Sequence, residues 1–242
     1  MKRALTLVAV SALALPVLAP AAAHADPTPP VAPAKAGTLR ITPGTAVLDA
    51  QKSTPVTFHV RLPGLGKNSW VDLTARGPRG DIEFGDAKDP DGDGVFTATI
   101  RFDRYSEAGV WRVESEIFNI DTGDDYAGPS GSFNVKRRTR LGVNAAPEPV
   151  KKGRTLTVSG RLTQLTKYGY PDFSGYKGQR IHIQFKRRGS ATWVNKGYAT
   201  TDGGGKYVKR FTANLDGTWR AWFKGTATHV PVVSGVDHVD VR

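Results

Sequence analysis

The chain has 242 residues, with 34 Lys and Arg against 22 Asp and Glu, a formal net charge of +12, and no cysteine. That length allows one or two domains large enough to bury their own cores, and the lack of cysteine excludes a disulfide framework, a thiolate metal site and a cysteine nucleophile. With 39% hydrophobic and 23% charged residues, the composition is that of a folded chain and not of a disordered one.

Residues 1–25 read as a secretory signal peptide. Lys2 and Arg3 open it with positive charge, residues 4–19 form an apolar stretch interrupted by Pro16, and Ala23-His24-Ala25 supplies a small-x-small cleavage site. The run is short for a membrane span, which needs about 20 apolar residues. The expectation is cleavage after Ala25 and a secreted, extracellular product with no membrane span in the mature chain. Residues 26–36 then hold Pro27, Pro29, Pro30 and Pro33 among small residues, a composition that predicts an extended Pro-rich tail.

From residue 37 onward, alternation with period two dominates and no segment sustains an apolar period of 3.6. Strands are predicted at 38–42, 54–61, 69–76, 95–102, 110–118 and 131–136. Val56, Phe58 and Val60 alternate with Thr57, His59 and Arg61, and Phe96, Ala98, Ile100 and Phe102 with Thr97, Thr99 and Arg101. One apolar and one polar face per strand is what a two-layer antiparallel sandwich requires. The second half repeats the style at 155–163, 180–187, 192–200, 206–211, 218–224 and 235–241, a strand density of the immunoglobulin kind. Gly109-Val110-Trp111-Arg112 is answered by Gly217-Thr218-Trp219-Arg220, a weak internal repeat. The fold class read from this is all-β, with two tandem immunoglobulin-like antiparallel β-sandwich domains after a signal peptide. Their expected extents are 37–136 and 137–242.

The boundary falls in Lys136-Arg137-Arg138-Thr139-Arg140, a linker that charge repulsion is expected to hold extended. Charge is divided unequally across it. Residues 26–136 carry 12 basic and 16 acidic side chains, net −4, whereas residues 137–242 carry 20 and 6, net +14. An acidic domain is followed by a strongly basic one.

The segment from Arg140 to Arg242 resembles a domain recurring in small secreted proteins of actinobacteria. The resemblance runs through residues 153–162 (Gly-Arg-Thr-Leu-Thr-Val-Ser-Gly-Arg-Leu), residues 178–185, Thr201-Asp202 and Asp216-Gly217-Thr218-Trp219-Arg220. The first half resembles bacterial immunoglobulin-like modules more loosely, through Asp91-Gly92-Asp93-Gly94 and Gly109-Val110-Trp111. The resemblance implies immunoglobulin-like sandwiches without a catalytic motif, and some such relatives are labelled calcium-binding.

Several groups of residues could carry chemistry. Asp89, Asp91 and Asp93, with Gly94 after them, open like a calcium loop, because a hard cation takes closely spaced carboxylates on a sharp turn. Ile100 stands where such a loop needs its bidentate Glu, so an EF-hand is excluded and a simpler Ca²⁺ site on those three carboxylates is left beside a plain solvated turn. A second acidic cluster, Asp121, Asp124 and Asp125, is expected in a loop after Phe118. In the basic half, a long loop at 164–179 holds Tyr168, Tyr170, Phe173 and Tyr176, aromatic groups able to stack on sugar rings or to cover an open core edge. Arg180, His182 and Lys186 form a basic ladder, and Trp222 between Arg220 and Lys224 faces outward, toward a ligand or under a neighbouring loop.

Gly-x-Ser-x-Gly, Gly-x-x-x-x-Gly-Lys-Ser/Thr and His-Glu-x-x-His are all absent from the sequence. The functional expectation is a secreted, non-enzymatic binding module. Its basic domain would contact an anionic cell-envelope polymer or an acidic extracellular protein, with nucleic acid disfavoured and no cofactor required. The alternatives are an adaptor subunit of a secreted assembly, docking through sandwich edges or the Pro-rich tail, and an extracellular hydrolase.

Overall fold

The computed structural model describes residues 37–65, 69–120 and 122–242, and all of these fall within one compact unit. The expected signal peptide (1–25), the Pro-rich tail (26–36) and Asp121 lie outside the described residues. Among the described residues every regular element is a strand, and no helix is long and apolar enough to cross a membrane.

The first nine strands are β1 (Thr38–Thr42), β2 (Thr45–Leu48), β3 (Thr54–Arg61), β4 (Ser69–Arg76), β5 (Ile82–Ala87), β6 (Val95–Phe102), β7 (Gly109–Asn119), β8 (Asp124–Ala127) and β9 (Gly131–Arg137). They form a three-stranded sheet, β1-β3-β6, and a larger one, β2-β9-β7-β4-β5, with β8 also on β7. The alternation of β3 and β6 points Val56, Phe58, Val60, Phe96, Ile100 and Phe102 into the space between the sheets, where all are buried. Trp111 fills the centre with no exposed surface, Phe102 at 4.9 Å from its ring and its Nε1 donating to the Glu107 carbonyl at 2.8 Å.

The antiparallel expectation needs one correction, since β2 pairs with β9 in parallel. Pro43 has no N–H to continue the β1–β3 ladder past Thr42, so the chain crosses to the other sheet while keeping its direction. There the Gly44 carbonyl accepts the Asn134 N–H at 3.0 Å. β5 escaped the sequence reading because its large apolar residues face solvent: Ile82 is 42% and Phe84 72% exposed. Asp124 and Asp125, expected in a loop, begin β8, paired with Asn119 and Phe118 of β7.

The second sandwich comprises β10 (Thr139–Leu141), β11 (Asn144–Ala146), β12 (Thr155–Leu165), β13 (Phe173–Gly175), β14 (Arg180–Arg187), β15 (Val194–Thr200), β16 (Lys206–Thr212), β17 (Gly217–Phe223) and β18 (Val232–Val239). One sheet is built around β12, with β10, β11, β13 and β16 on it, and the other is β15-β14-β17-β18. Between them lie Leu156, Val158, Leu162, Ile181, Ile183, Phe185, Trp219 and Phe223. Trp219 takes the place in this core that Trp111 takes in the first, with Phe211 at 4.7 Å and Phe185 at 4.9 Å.

Between β9 and β10 only Arg138 lies outside a strand, and the basic run is not an extended linker. Each arginine has its own partner. Arg137 donates to the carbonyls of Arg104 (3.1 Å) and Ser106 (3.3 Å), Arg138 pairs with Asp49 at 2.8 Å, and the Arg140 guanidinium lies 3.7 Å from the Phe173 ring centre. From the first sandwich Arg104 reaches into the turn after β12, donating to Asp172 Oδ1 at 2.6 Å and to Thr166 Oγ1 at 3.1 Å. Leu165, at the tip of β12, is buried in the core of the first sandwich. Repulsion among the cations is offset by carbonyl, carboxylate and aromatic partners.

Candidate functional site

The polar positions of β14 and β17 come together on the outward face of the four-stranded sheet. Register sets His182 beside Trp222 of β17 and Tyr198 of β15, Gln184 beside Arg220, and Lys186 beside Thr218. Trp222 also stands opposite Val233 of β18. Because paired residues share a face, Tyr198, His182, Trp222 and Val233 form one row across all four strands. Two ladder irregularities lie on one side of it, in the β14–β15 pairing between Ile183 and Gln184 and in the β17–β18 pairing between Arg220 and Trp222. At the second, the Ser234 hydroxyl accepts the Ala221 N–H at 2.8 Å, so the backbone group displaced from the ladder stays satisfied.

The cations of this face lie against rings. Arg180 is 4.4 Å from the Tyr198 ring centre, Lys224 5.3 Å from Trp222, and Arg220 4.0 Å and Lys186 5.1 Å from Trp193. None of these four forms an ion pair with a described residue. Arg220 is fixed further by Nε donating to Gln184 Oε1 at 2.7 Å. A shallow recess of about 260 Å³ opens beside His182, where β14 begins and β17 ends, lined by Gln179, Arg180, His182, Phe223, Lys224 and Gly225. Desolvation, with Lys224 and Arg180 after it, lowers the His182 pKa from its ordinary 6.5. The arrangement offers flat aromatic surface beside uncompensated positive charge, the chemistry for a ring-bearing anion.

Arg180, His182, Lys186, Arg220, Trp222 and Lys224 thus share a face. The three loop tyrosines are placed elsewhere. Tyr168 and Tyr170, 69% and 97% exposed, project from the turn between β12 and β13, where Tyr168 lies 5.8 Å from Tyr105 of the first sandwich. Tyr176 is turned inward, its ring edge-on to Phe223 and its hydroxyl bonded to His229 Nδ1 at 3.1 Å. Trp193 and Tyr198, which the sequence reading did not single out, belong to the face instead. The pairing of β15 with β14 places Tyr198, and the Arg220 and Lys186 side chains over its ring place Trp193.

The Asp-rich turn is occupied mainly with its own backbone. Asp89 accepts the N–H groups of Gly92 (2.8 Å), Asp93 (3.2 Å) and Gly94 (2.9 Å), and Asp93 accepts that of Val95 at 2.8 Å. Gly92 and Gly94 both have positive φ, 74° and 81°, which a side chain would strain. Desolvation raises the Asp89 carboxyl, but hydrogen bonds led by the Gly94 N–H outweigh it and leave it below the usual carboxylate range. One oxygen each from Asp89, Asp91 and Asp93 lies within 4.8 Å of the others.

Fold and site together define a tandem immunoglobulin-like β-sandwich protein with a cationic, aromatic sheet face. No family model matches the chain, and no curated protein does. Among solved structures, the chain is similar to a tetra-tandem repeat in the extending region of a large adhesion protein, at 17% identity and a TM-score of 0.34, over 85% of this chain and 50% of that one. It is also similar to trypsin-activated alpha-2-macroglobulin from Escherichia coli, at 13% identity and a TM-score of 0.29, over 87% of this chain and 16% of that one. The chain therefore spans half the length of the first and a smaller part of the second.

Proposed function

We propose that this is an exported, non-enzymatic binding protein whose β15-β14-β17-β18 face holds an anionic carbohydrate polymer of the cell envelope. The observation that carries the reading is the set of four cations stacked on aromatic rings without a carboxylate partner. Sugar rings would lie on Trp222 and on Tyr198, two strand spacings of about 5 Å apart, while a carboxylate or phosphate enters the recess between Arg180, His182 and Lys224. This binding requires no cofactor. His182 adds a pH dependence of defined sign. An anion in the recess favours the imidazolium that desolvation, and after it Lys224 and Arg180, disfavour, so affinity rises as the pH is lowered through the titration of His182.

Titration with polygalacturonate, with neutral dextran as control, tests the proposal. The protein should bind the polyanion, release it as salt is added, and bind more tightly in mild acid, a trend that His182→Ala flattens. Trp222→Ala should weaken binding about tenfold, as loss of one stacking platform does, with an unchanged melting temperature. Equal binding to dextran, or binding indifferent to salt, would remove the proposal.

A further inference from the structure

The first sandwich carries a sheet face of opposite sign. On the outward side of β5, β4 and β7, register places Asp86, Asp72 and Glu116 side by side across three adjacent strands, with Trp70 and Phe118 on the row to one side and Phe84, beside Thr74 and Glu114, on the row to the other. Trp70 is 63%, Phe84 72% and Phe118 36% exposed. The rings of Trp70 and Phe118 lie 6.2 Å apart. No described residue forms an ion pair with Asp86, Asp72 or Glu116. Like charges directly opposite one another oppose the pairing of their own strands, and large exposed apolar groups at the same place mark a surface that something covers.

The cover that fits is present on the same chain. The basic face of the second sandwich has the same construction with the charge reversed: Trp222 and Tyr198 beside Arg180 and Lys224, and Arg220 and Lys186 beyond. Both are exposed faces of twisted sheets, the surfaces that pack on one another in a sandwich. We infer that the acidic face around Asp72 and Glu116 is a docking site for the basic face of a second copy of this chain. Because the two faces are different surfaces, the contact is heterologous, and each copy that docks leaves one face free. Copies therefore add head to tail into chains that do not close unless the rotation happens to complete a ring. An anionic polymer competes for the basic face, so polymer binding and self-association exclude each other there. The inference shares that face with the proposed function but does not need it, since the partner is the protein itself.

Sedimentation velocity on the purified protein, with two variants, decides the matter. Asp72→Lys with Glu116→Lys removes the acidic face, and Arg220→Glu with Lys224→Glu removes the basic one. At low ionic strength the unmodified protein should grow past dimer with rising concentration, and added salt should reverse it. Each variant alone should stay monomeric. Mixed in equal amounts they should form a dimer that grows no further, because each supplies the one face the other lacks. That dimer also shows that both variants are folded. A monomeric unmodified protein at every concentration, a variant that assembles by itself as the unmodified protein does, or a mixture that stays monomeric overturns the inference. Polygalacturonate separates the two readings. Polymer binding by a protein that remains monomeric in its absence leaves the proposed function standing and this inference fallen. Self-association without polymer binding does the reverse.

Discussion

His229 lies at the junction of the two sandwiches, 7% exposed, with its Nδ1 held by the hydroxyls of Thr228 at 2.9 Å and Tyr176 at 3.1 Å. Its Nε2 is buried without a partner. Burial, and after it the Arg137 guanidinium, brings its pKa down from 6.5 to about 4. A histidine whose folded pKa is depressed leaves stability intact above its unfolded value and withdraws it as pH falls, because the unfolded chain takes up the proton first. Folding stability should therefore drop between about pH 6.5 and pH 4, by on the order of 2 kcal/mol from this residue. Denaturant unfolding across that range checks it: His229→Gln should flatten the acid slope, and an unchanged slope would assign the loss to other groups. The sequence shows His229 only as an isolated histidine after Thr228, since its neighbours Tyr176 and Arg137 are far away along the chain.

The strands legible in the sequence are those with one apolar and one polar side. β3, β6 and β14 have the expected limits because their alternation is unbroken, and a slip of one residue would expose every inward group. β10, β11 and β13 have three residues each, too few to show a period. β5 alternates, but with its large apolar groups outward. β12 continues two residues past its expected end at 163 and places Leu165 in the core of the other sandwich. Leu165→Ala should destabilise by about 3 kcal/mol, the usual loss for a buried leucine, and hydrogen exchange should locate the effect. Amides of the first sandwich should exchange faster, although the substitution is in a strand of the second. Faster exchange confined to β14 and β17 would contradict the placement of Leu165.

At the scale of the molecule, the junction is built on two arginines of the first sandwich, Arg104 and, at the end of β9, Arg137. The Arg104 side chain is 14% exposed and forms its pair with Asp172 across the junction, while Arg137 grips the carbonyls of Arg104 and Ser106. Removing Arg104 takes away a buried guanidinium and its bonds to Asp172, Thr166 and Gly169 across the junction, although Asp172 itself stays 40% exposed. Arg104→Ala should therefore split a single unfolding transition into two, read by calorimetry. One unchanged transition would mean that the remaining contacts couple the sandwiches alone. The basic run at 136–140 looked like a linker because sequence shows charge but not partners.

The all-β class, the inward faces of the long strands and the uneven division of charge, −4 in residues 26–136 and +14 in residues 137–242, are legible in the residues alone. These follow from composition and from a period of two, both local properties of the chain. Tertiary structure alone decided where that charge is used. The neighbours of Arg137, Arg138 and Arg140 are set by the junction, and the grouping of Tyr198, His182, Trp222 and Val233 is set by strand register. So is the row of Asp86, Asp72 and Glu116. Such groupings join residues tens of positions apart, and a sheet brings them within reach only when its strand order and register are known.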